Sequence, residues 1–410
     1  MAGVTTTTLT NVLKTLYAKG LGSALYDDCP LFGMLPKKAI FTGKTMEQPV
    51  QYSGNAAVGN TYASVSTAAA STGNQYGNFS LTRKKTYAIG TIDREALWAS
   101  KGDPGSFVRN TKSEFDGSLY TMKKRLAAYA YGNGGCALGQ VHASATVAST
   151  TLLLANPNSV INWERSMILR ASAADGTSGA LRTGTVTITG VNRDNLDTGS
   201  LTAAANFSTG IAAIAVGDYL FNNDDFGTAF TGLAGWVPSS APASTAFFGQ
   251  DRTVDTRLGG LRLTGTGMPI TEVLLKMATL VAREGGKISH FYMHPVQMLN
   301  LQLALDSKAV YISGKSSDAS IGYDGIKVAT PFGWVECYAD PYCPSDRIYG
   351  LKMDTWTLYS LGEVPHFIED DGNQILRMTS EDSFEWRIAF MGQLGCSAPS
   401  HNIVATVAAS

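Results

Sequence analysis

The spacing of apolar residues predicts one long amphipathic helix in the first third of the chain. Apolar side chains recur three, four or seven positions apart, which makes a single stripe of about six turns; they are Val108, Phe115, Leu119, Met122, Leu126 and Tyr129. Asp103 is predicted to cap this helix and Pro104 to hold its first position. The glycine-rich run 132–135 ends it. We call this element, over 103–133, the spine helix.

Alternating positions before the spine helix predict a long two-stranded ribbon over residues 39–92. Its ascending limb is 44–52 and its descending limb is 78–92, and Pro49 restricts the first limb to a sheet edge. The tip, 54–77, consists mostly of Ala, Ser, Thr, Gly and Asn. A two-stranded ribbon is marginal alone in water. We therefore expect the ribbon to pack against another copy of the chain.

The remaining pattern predicts a helix over 8–26, then a β-rich unit over 141–236 and a mixed α+β region after residue 267. The β-rich unit contains short strand patterns separated by turn residues, at 150–154, 166–170, 184–190 and 216–220. Residues 238–242 are predicted to form a linker. The mixed region contains helix patterns at 270–281 and from Pro295, and strand patterns at 291–293, 326–329, 334–338, 347–351, 355–361 and 384–392.

Composition narrows the possible functions. The chain has 410 residues, a formal net charge of -1 and only 16% charged residues. Electrostatically driven nucleic-acid recognition needs a basic face that this balance does not supply. A surface with so little charge favours extensive burial against other protein chains. No apolar run is long enough for a transmembrane helix, and the first residues lack the features of a signal peptide, so we expect a cytoplasmic protein.

Candidate chemistry is sparse, and we expect no catalytic, cofactor-binding or metal-binding residues and no enzymatic activity. The nucleotide-binding, hydrolase and metalloprotease motifs are missing. The five cysteines are scattered without CxxC spacing, and we interpret them as reduced, partly buried thiols. They are Cys29, Cys136, Cys337, Cys343 and Cys396.

Two features invite a metal-binding interpretation. His290 and His294 lie four positions apart, but the strand pattern between them and the following Pro295 favour a strand-to-helix junction with a capping histidine. The acidic run 369–373 lacks the ligand spacing of a calcium loop, and the run 222–225, which could suggest a metal or paired-carboxylate site, has the composition of an Asx-rich turn. We interpret both runs as polar turns.

The order of these parts resembles the major capsid proteins of tailed bacteriophages. The resemblance covers nearly the whole chain and includes the segments 269–275, 291–295, 386–389 and 405–407. It implies an α+β phage capsid shell fold in which each part has a role. These parts are an N-terminal arm (1–38), an extended β-ribbon loop (39–92), a peripheral domain with the spine helix (93–140), a β-rich insertion domain (141–236), a linker returning to the peripheral domain (237–267), an axial domain (268–391) and a C-terminal strand segment (392–410).

The resemblance also implies a function. Copies would assemble as pentamers and hexamers into an icosahedral shell that encloses the double-stranded DNA of a tailed phage, built in the host cytoplasm and residing in the virion. Implied partners are the chain itself, a separate scaffolding protein, a portal, a decoration protein and non-specifically contacted DNA, with no cofactor and no membrane.

Two departures from the family qualify this expectation. No long charged helical segment precedes Ala39, so scaffolding would come from a separate protein or from a segment already removed. No lysine lies between Lys44 and Lys84, so we do not expect covalent cross-linking through the ribbon tip. The alternatives are an encapsulin-like nanocompartment shell, another virion protein such as a tail-tube protein, and an unrecognised hydrolase.

Overall fold

The computed structural model describes residues 29–69, 73–94, 104–194, 198–223, 225–243, 246–306, 326–369, 375–378 and 381–408. Within these ranges the strands form three larger sheets and one two-stranded ribbon. The predicted helix over 8–26 lies outside the described residues. A short helix, α1 (Pro30–Met34), begins the described chain.

The spine helix, α3, runs over Pro104–Tyr131, as its apolar stripe predicts. Of that stripe, Phe115, Leu119, Met122, Leu126 and Tyr129 are buried. The Gly132 N–H donates to the Tyr129 carbonyl at 3.0 Å, and Gly134 adopts a φ of +94°. The predicted glycine end is therefore confirmed, while the predicted cap, Asp103, lies outside the described residues.

The ribbon pairs β2 (Thr45–Ser53) with β3 (Gln75–Thr82), antiparallel, with a register irregularity between Gln51 and Ser53. Helix α2 (Tyr62–Ala69) lies between these strands along the chain. The predicted ascending limb is confirmed. The predicted descending limb is wrong in its second half, because β4 (Lys84–Asp93) leaves the ribbon and pairs with a strand about three hundred residues later in the sequence.

That partner belongs to the first larger sheet, the peripheral sheet. Its strands are β1 (Lys37–Lys38), β4, β16 (Trp356–Ser360), β17 (His366–Phe367), β18 (Ile375–Arg377) and β19 (Ser383–Cys396). The Phe115 ring of the spine helix stacks on Phe367 at 5.3 Å and lies 6.2 Å from Trp386. A Cβ at Gly90 would lie 2.3 Å from the Trp386 ring, so the close approach of β4 to β19 requires glycine there.

The second larger sheet occupies the predicted β-rich unit. Its strands are β5 (Gly139–Gln140), β6 (Thr151–Leu153), β7 (Ile168–Ser172), β8 (Val186–Asn192), β9 (Ser200–Ala203) and β10 (Tyr219–Asn222), with the short helix α4 (Phe207–Gly210). A bridge between Val141 and Leu154 joins the two outer strands and closes the sheet into a small barrel. Closure pairs the edges that would otherwise be exposed. Strand β9 was not predicted from the sequence pattern.

The barrel packs directly on the spine helix, and their buried apolar residues form one continuous core. Lys124 of the helix pairs with Glu164 of the barrel at 2.5 Å. Helix α5 (Leu233–Trp236) follows the barrel and is buried in the same core. The predicted insertion is thus a distinct sheet whose hydrophobic core is shared with the rest of the chain.

The third larger sheet, the axial sheet, has the strand order β11 (Leu261–Thr264), β20 (Ile403–Thr406), β15 (Arg347–Leu351), β12 (His290–Met293), β14 (Gly333–Ala339) and β13 (Ile326–Thr330). Helices α6 (Ile270–Arg283) and α7 (Pro295–Asp306) pack with it in a second hydrophobic core. These elements match the predicted patterns except β11, which lies in the range 237–267 that we expected to be a linker. The strand pairing differs from the expected axial domain, 268–391. Strands β16 to β19 lie within that range but join the peripheral sheet, whereas β11 and β20 lie outside it and join the axial sheet.

All five cysteines are free thiols, and they are fully buried where we expected partial burial. Burial raises the pKa of Cys337 and Cys396 to about 12, which keeps both thiols protonated and unreactive at neutral pH. Among the described helices, none combines the length and apolar character needed to cross a membrane.

Candidate assembly surface

His290 and His294, the pair considered for metal binding, lie at the junction between strand β12 and helix α7. The buried His294 accepts the Val296 N–H at its Nδ1, 3.2 Å away, and so caps α7 as expected. Burial lowers the pKa of His294 to about 4, so it is neutral at physiological pH. His290 lies in β12 with its Nε2 3.9 Å from Glu336. That carboxylate also pairs with Lys327 at 3.0 Å, which makes this a charged surface cluster of the axial sheet.

One of the two acidic runs, 222–225, contributes turn structure. Asn222 ends β10, and its carbonyl accepts the Asp225 N–H at 3.1 Å, which closes the expected turn. Most of the run 369–373 lies outside the described residues. Within the part of the chain that the structure describes, no group of three or more His, Cys, Asp or Glu side chains is arranged to hold a metal ion.

The surface that stands out is the ribbon, which divides into a root and a tip. The ribbon root is the paired part, β2 with β3. Its Val50, Phe79 and Leu81 are buried against the body of the same chain. The Phe79 ring meets Trp236 edge-to-face at 5.0 Å, and the Trp236 Nε1 donates to the Leu394 carbonyl at 3.0 Å. The root is therefore part of the subunit's own core.

A neighbouring loop, residues 246–258, clamps the root from outside. Ser80 donates its N–H to the Phe248 carbonyl at 2.8 Å, and the Arg257 Nη1 donates to the Tyr52 carbonyl at 2.9 Å. The Arg252 guanidinium lies 3.9 Å from the centre of the Phe247 ring, a cation–π contact. Sequence reasoning missed this clamp, because only tertiary folding brings the loop to the ribbon.

The ribbon tip has the opposite character; it spans residues 54–74, shorter than the predicted 54–77 because β3 begins at Gln75, and 54–69 and 73–74 of it are described. Val58 and Tyr62 are 88% and 89% exposed, and no residue of α2 is buried. The chain carries no charged side chain from Gln48 to Thr82. Local hydrogen bonds shape the tip, such as the one between the Thr61 and Ser64 hydroxyls at 2.7 Å. A helix as short as α2 is marginal without tertiary packing, so the tip needs a partner surface.

Further exposed apolar side chains lie elsewhere on the subunit. On the outer face of β4, Tyr87 and Ile89 are 49% and 57% exposed. They line a groove of about 760 Å³ between β4, the spine helix and the barrel. On the axial domain, Trp334 and Leu303 are more than 60% exposed. Single exposed apolar side chains at separated places are normal on a protein surface, so the ribbon tip remains the feature that indicates association.

Comparison with solved structures identifies the fold. The chain is similar to a chain of the cyanophage A-1(L) capsid asymmetric unit, with 11% sequence identity, 93% of each chain covered and a TM-score of 0.54. At this identity the likeness shows a shared fold, and it confirms the predicted α+β capsid fold.

Weaker similarities extend to chains from Mycobacterium phage Bobi (9% identity, 100% of each chain, TM-score 0.41) and from the capsid of a native GTA particle (10% identity, 92% of this chain and 89% of that one, TM-score 0.43). No protein-family model matches the chain, and no curated protein matches its sequence.

Proposed function

We propose that the chain is the major capsid protein of a tailed bacteriophage, whose copies assemble into a closed shell. The observation that carries this proposal is the ribbon tip: an exposed, uncharged arm held by a root that is anchored in the subunit's own core. The fold shared with a cyanophage capsid chain supports the same conclusion.

The energetics favour association through the tip. Burying apolar surface contributes roughly 25 cal/mol per Å², and the uncharged tip has no ionised group to desolvate when it is covered. The anchored root fixes the direction of the tip, which reduces the entropy lost when it docks on a neighbour. A repeated contact of this kind between identical chains closes into rings and shells when its rotation is compatible with closure.

The assembled form we propose is an icosahedral shell of pentamers and hexamers around double-stranded DNA. The ribbon tip lies over a neighbouring subunit, and the axial domains meet at the centres of the rings. The barrel faces outward. A chain with net charge -1 has no general attraction for phosphate, so its contacts with packaged DNA are non-specific and few.

The same proposal includes other components of the virion. A separate scaffolding protein guides assembly in the host cytoplasm, a portal occupies one vertex, and a decoration protein covers the outer surface. The role of this chain is structural rather than catalytic.

Electron microscopy and sedimentation velocity of the purified full chain, with scaffolding protein supplied, test the proposal. We expect closed shells of uniform diameter. A chain that stays monomeric at every concentration would contradict it. The contents of particles purified from the native source then separate two kinds of shell: packaged DNA indicates a virus, and an enclosed enzyme indicates a nanocompartment.

A further inference from the structure

Two half-buried arginines are anchored by backbone carbonyls beside the ribbon root. Arg252 belongs to the clamp loop, residues 246–258, and Arg262 belongs to β11, an edge strand of the axial sheet. The Arg252 Nη1 donates to the carbonyls of Gly235 and Trp236, at 2.7 and 3.3 Å. The Arg262 Nη1 donates to the Gly259 carbonyl at 3.3 Å. Both guanidinium groups are therefore held in place by neutral backbone oxygens rather than by acidic side chains.

Packing brings these two cations close together. A Cβ on Gly260 would lie 2.8 Å from the Val237 side chain, so the turn that binds Arg262 packs on the segment that binds Arg252. Burial, and after it the positive charge of Arg262, lowers the pKa of Arg252 to about 10. Burial also lowers the pKa of Arg262. Both groups stay charged at neutral pH, so two positive charges share one partly desolvated place.

No acidic side chain of the described residues neutralises the pair, and none lies near enough to raise the pKa of either arginine. Asp251, adjacent to Arg252 in the chain, accepts the N–H and hydroxyl of Thr253 instead, at 2.8 and 2.7 Å. By contrast, Arg257 of the same loop pairs with Glu284 at 3.4 Å. Partly buried charge without a counter-charge is unfavourable, so a bound anion would stabilise this part of the fold.

The pair also has hydrogen-bond donors left for an anion. The Arg252 Nη2 and the Arg262 Nε and Nη2 donate to no described residue and are not buried, while the Arg252 Nε is buried without a partner. The Arg252 guanidinium lies 3.9 Å from the centre of the Phe247 ring, which restrains its orientation. Planar guanidinium groups bind the paired oxygens of a carboxylate or a phosphate.

We propose that Arg252 and Arg262 form a binding site for an oxyanion, supplied either as free phosphate or as a carboxylate of a second copy of the chain. The two sources share the chemistry that the pair recognises, which is a compact group with negatively charged oxygens. Binding of free phosphate is independent of the proposed function, whereas a carboxylate from a second copy rests on the proposed shell.

Isothermal titration calorimetry of the unassembled full chain with sodium phosphate, at pH 7 and constant ionic strength, tests the site. We expect saturable binding of one phosphate per chain, weakened about tenfold or more in Arg262→Gln because charged donors are lost. Arg377→Gln, at a 67% exposed arginine of β18, removes the same charge elsewhere and should bind like the wild type. No saturable binding to the wild type, or an affinity of Arg262→Gln no lower than that of Arg377→Gln, would overturn the proposal.

A second variant guards against a folding defect in the first. Arg262→Lys keeps the charge and loses the planar fork, so its phosphate affinity should lie between those of the wild type and Arg262→Gln. An affinity of Arg262→Lys below that of Arg262→Gln would contradict the role of the charge. Urea denaturation of each variant confirms that the titrated chain is folded.

Equilibrium dialysis of assembled shells against radiolabelled phosphate then identifies the source of the oxyanion. Shells that bind phosphate as the unassembled chain does indicate an anion taken from solution. Shells that exclude phosphate, although the same chain binds it before assembly, indicate a carboxylate from a second copy. Because the calorimetry uses the unassembled chain, failure of the site leaves the proposed shell function intact, and failure to form shells leaves the phosphate result standing.

Discussion

The root and the tip of the ribbon belong to the same β-hairpin, yet they are built for different purposes. In the root, Phe79 and Leu81 are fully buried and the Phe79 ring packs against Trp236. In the tip, Val58 and Tyr62 are almost fully exposed, and α2 touches nothing that buries it. The root is a folding element, and the tip is an association element.

The difference explains how an arm can be stable in the free subunit and still be exposed for contact with a neighbour. A two-stranded ribbon free along its whole length would be marginal in water. Anchoring one half in the core supplies the stability that lets the other half project without a partner. The separation predicts that substitutions in the root affect subunit folding, whereas substitutions in the tip affect assembly.

The largest effect on the free energy of unfolding is expected for Phe79→Ala. It leaves a cavity against Trp236 and Phe247, and such truncations cost about 3–5 kcal/mol. Tyr76→Ala, three positions earlier in β3 and 62% exposed, is the matched control, with a change within about 0.5 kcal/mol. Urea denaturation measures both, and similar losses for the two variants would show that the buried Phe79 ring does not anchor the root.

A smaller loss is expected when the clamp on the root is weakened. Arg252→Met removes the cation over Phe247 and the bond from its Nη1 to the Gly235 carbonyl at 2.7 Å. We expect a destabilisation of about 1–3 kcal/mol in the same denaturation experiment. Arg257→Met removes a second, more exposed clamp contact, since its side chain is 49% exposed, and should cost about 1 kcal/mol or less. Equal stability of Arg252→Met and the wild type would show that the clamp does not hold the root.

The smallest effect on subunit stability is expected in the tip itself. The double substitution Val58→Ser and Tyr62→Ser alters exposed side chains, so the free energy of unfolding should change by no more than about 0.5 kcal/mol. Shell yield, measured by sedimentation velocity, should fall sharply because the apolar contact with the neighbour is lost. If the doubly substituted chain still forms shells at the wild-type yield, these two side chains do not make the contact with the neighbour.

The sequence predicted elements whose signals are local. The spine helix shows an uninterrupted apolar stripe and a glycine end, and α6 ends at Arg283, shortly before Gly285 and Gly286. The strand β12 was predicted from consecutive apolar residues. The exposed tip was predicted from its small, uncharged composition, which is a property of residues rather than of their partners.

The pairing of distant segments could not be predicted from local sequence patterns. β4 continues the alternation of the ribbon, and nothing in its own residues shows that it pairs with β19 instead. The fit of Gly90 beneath Trp386 explains the choice only once both strands are in place. The clamp of residues 246–258 on the ribbon root also depends on contacts between segments far apart in the sequence.

The central claim, that the tip serves assembly and the root serves folding, is tested most directly by replacing residues 54–74 with a two-residue Asn-Gly turn. Ser53 and Gln75 are register partners, so the turn closes the ribbon without disturbing the root. We predict a variant whose free energy of unfolding lies within about 1 kcal/mol of the wild type and which stays monomeric where the full chain forms shells. Normal shells, or a subunit that no longer folds, would contradict the account.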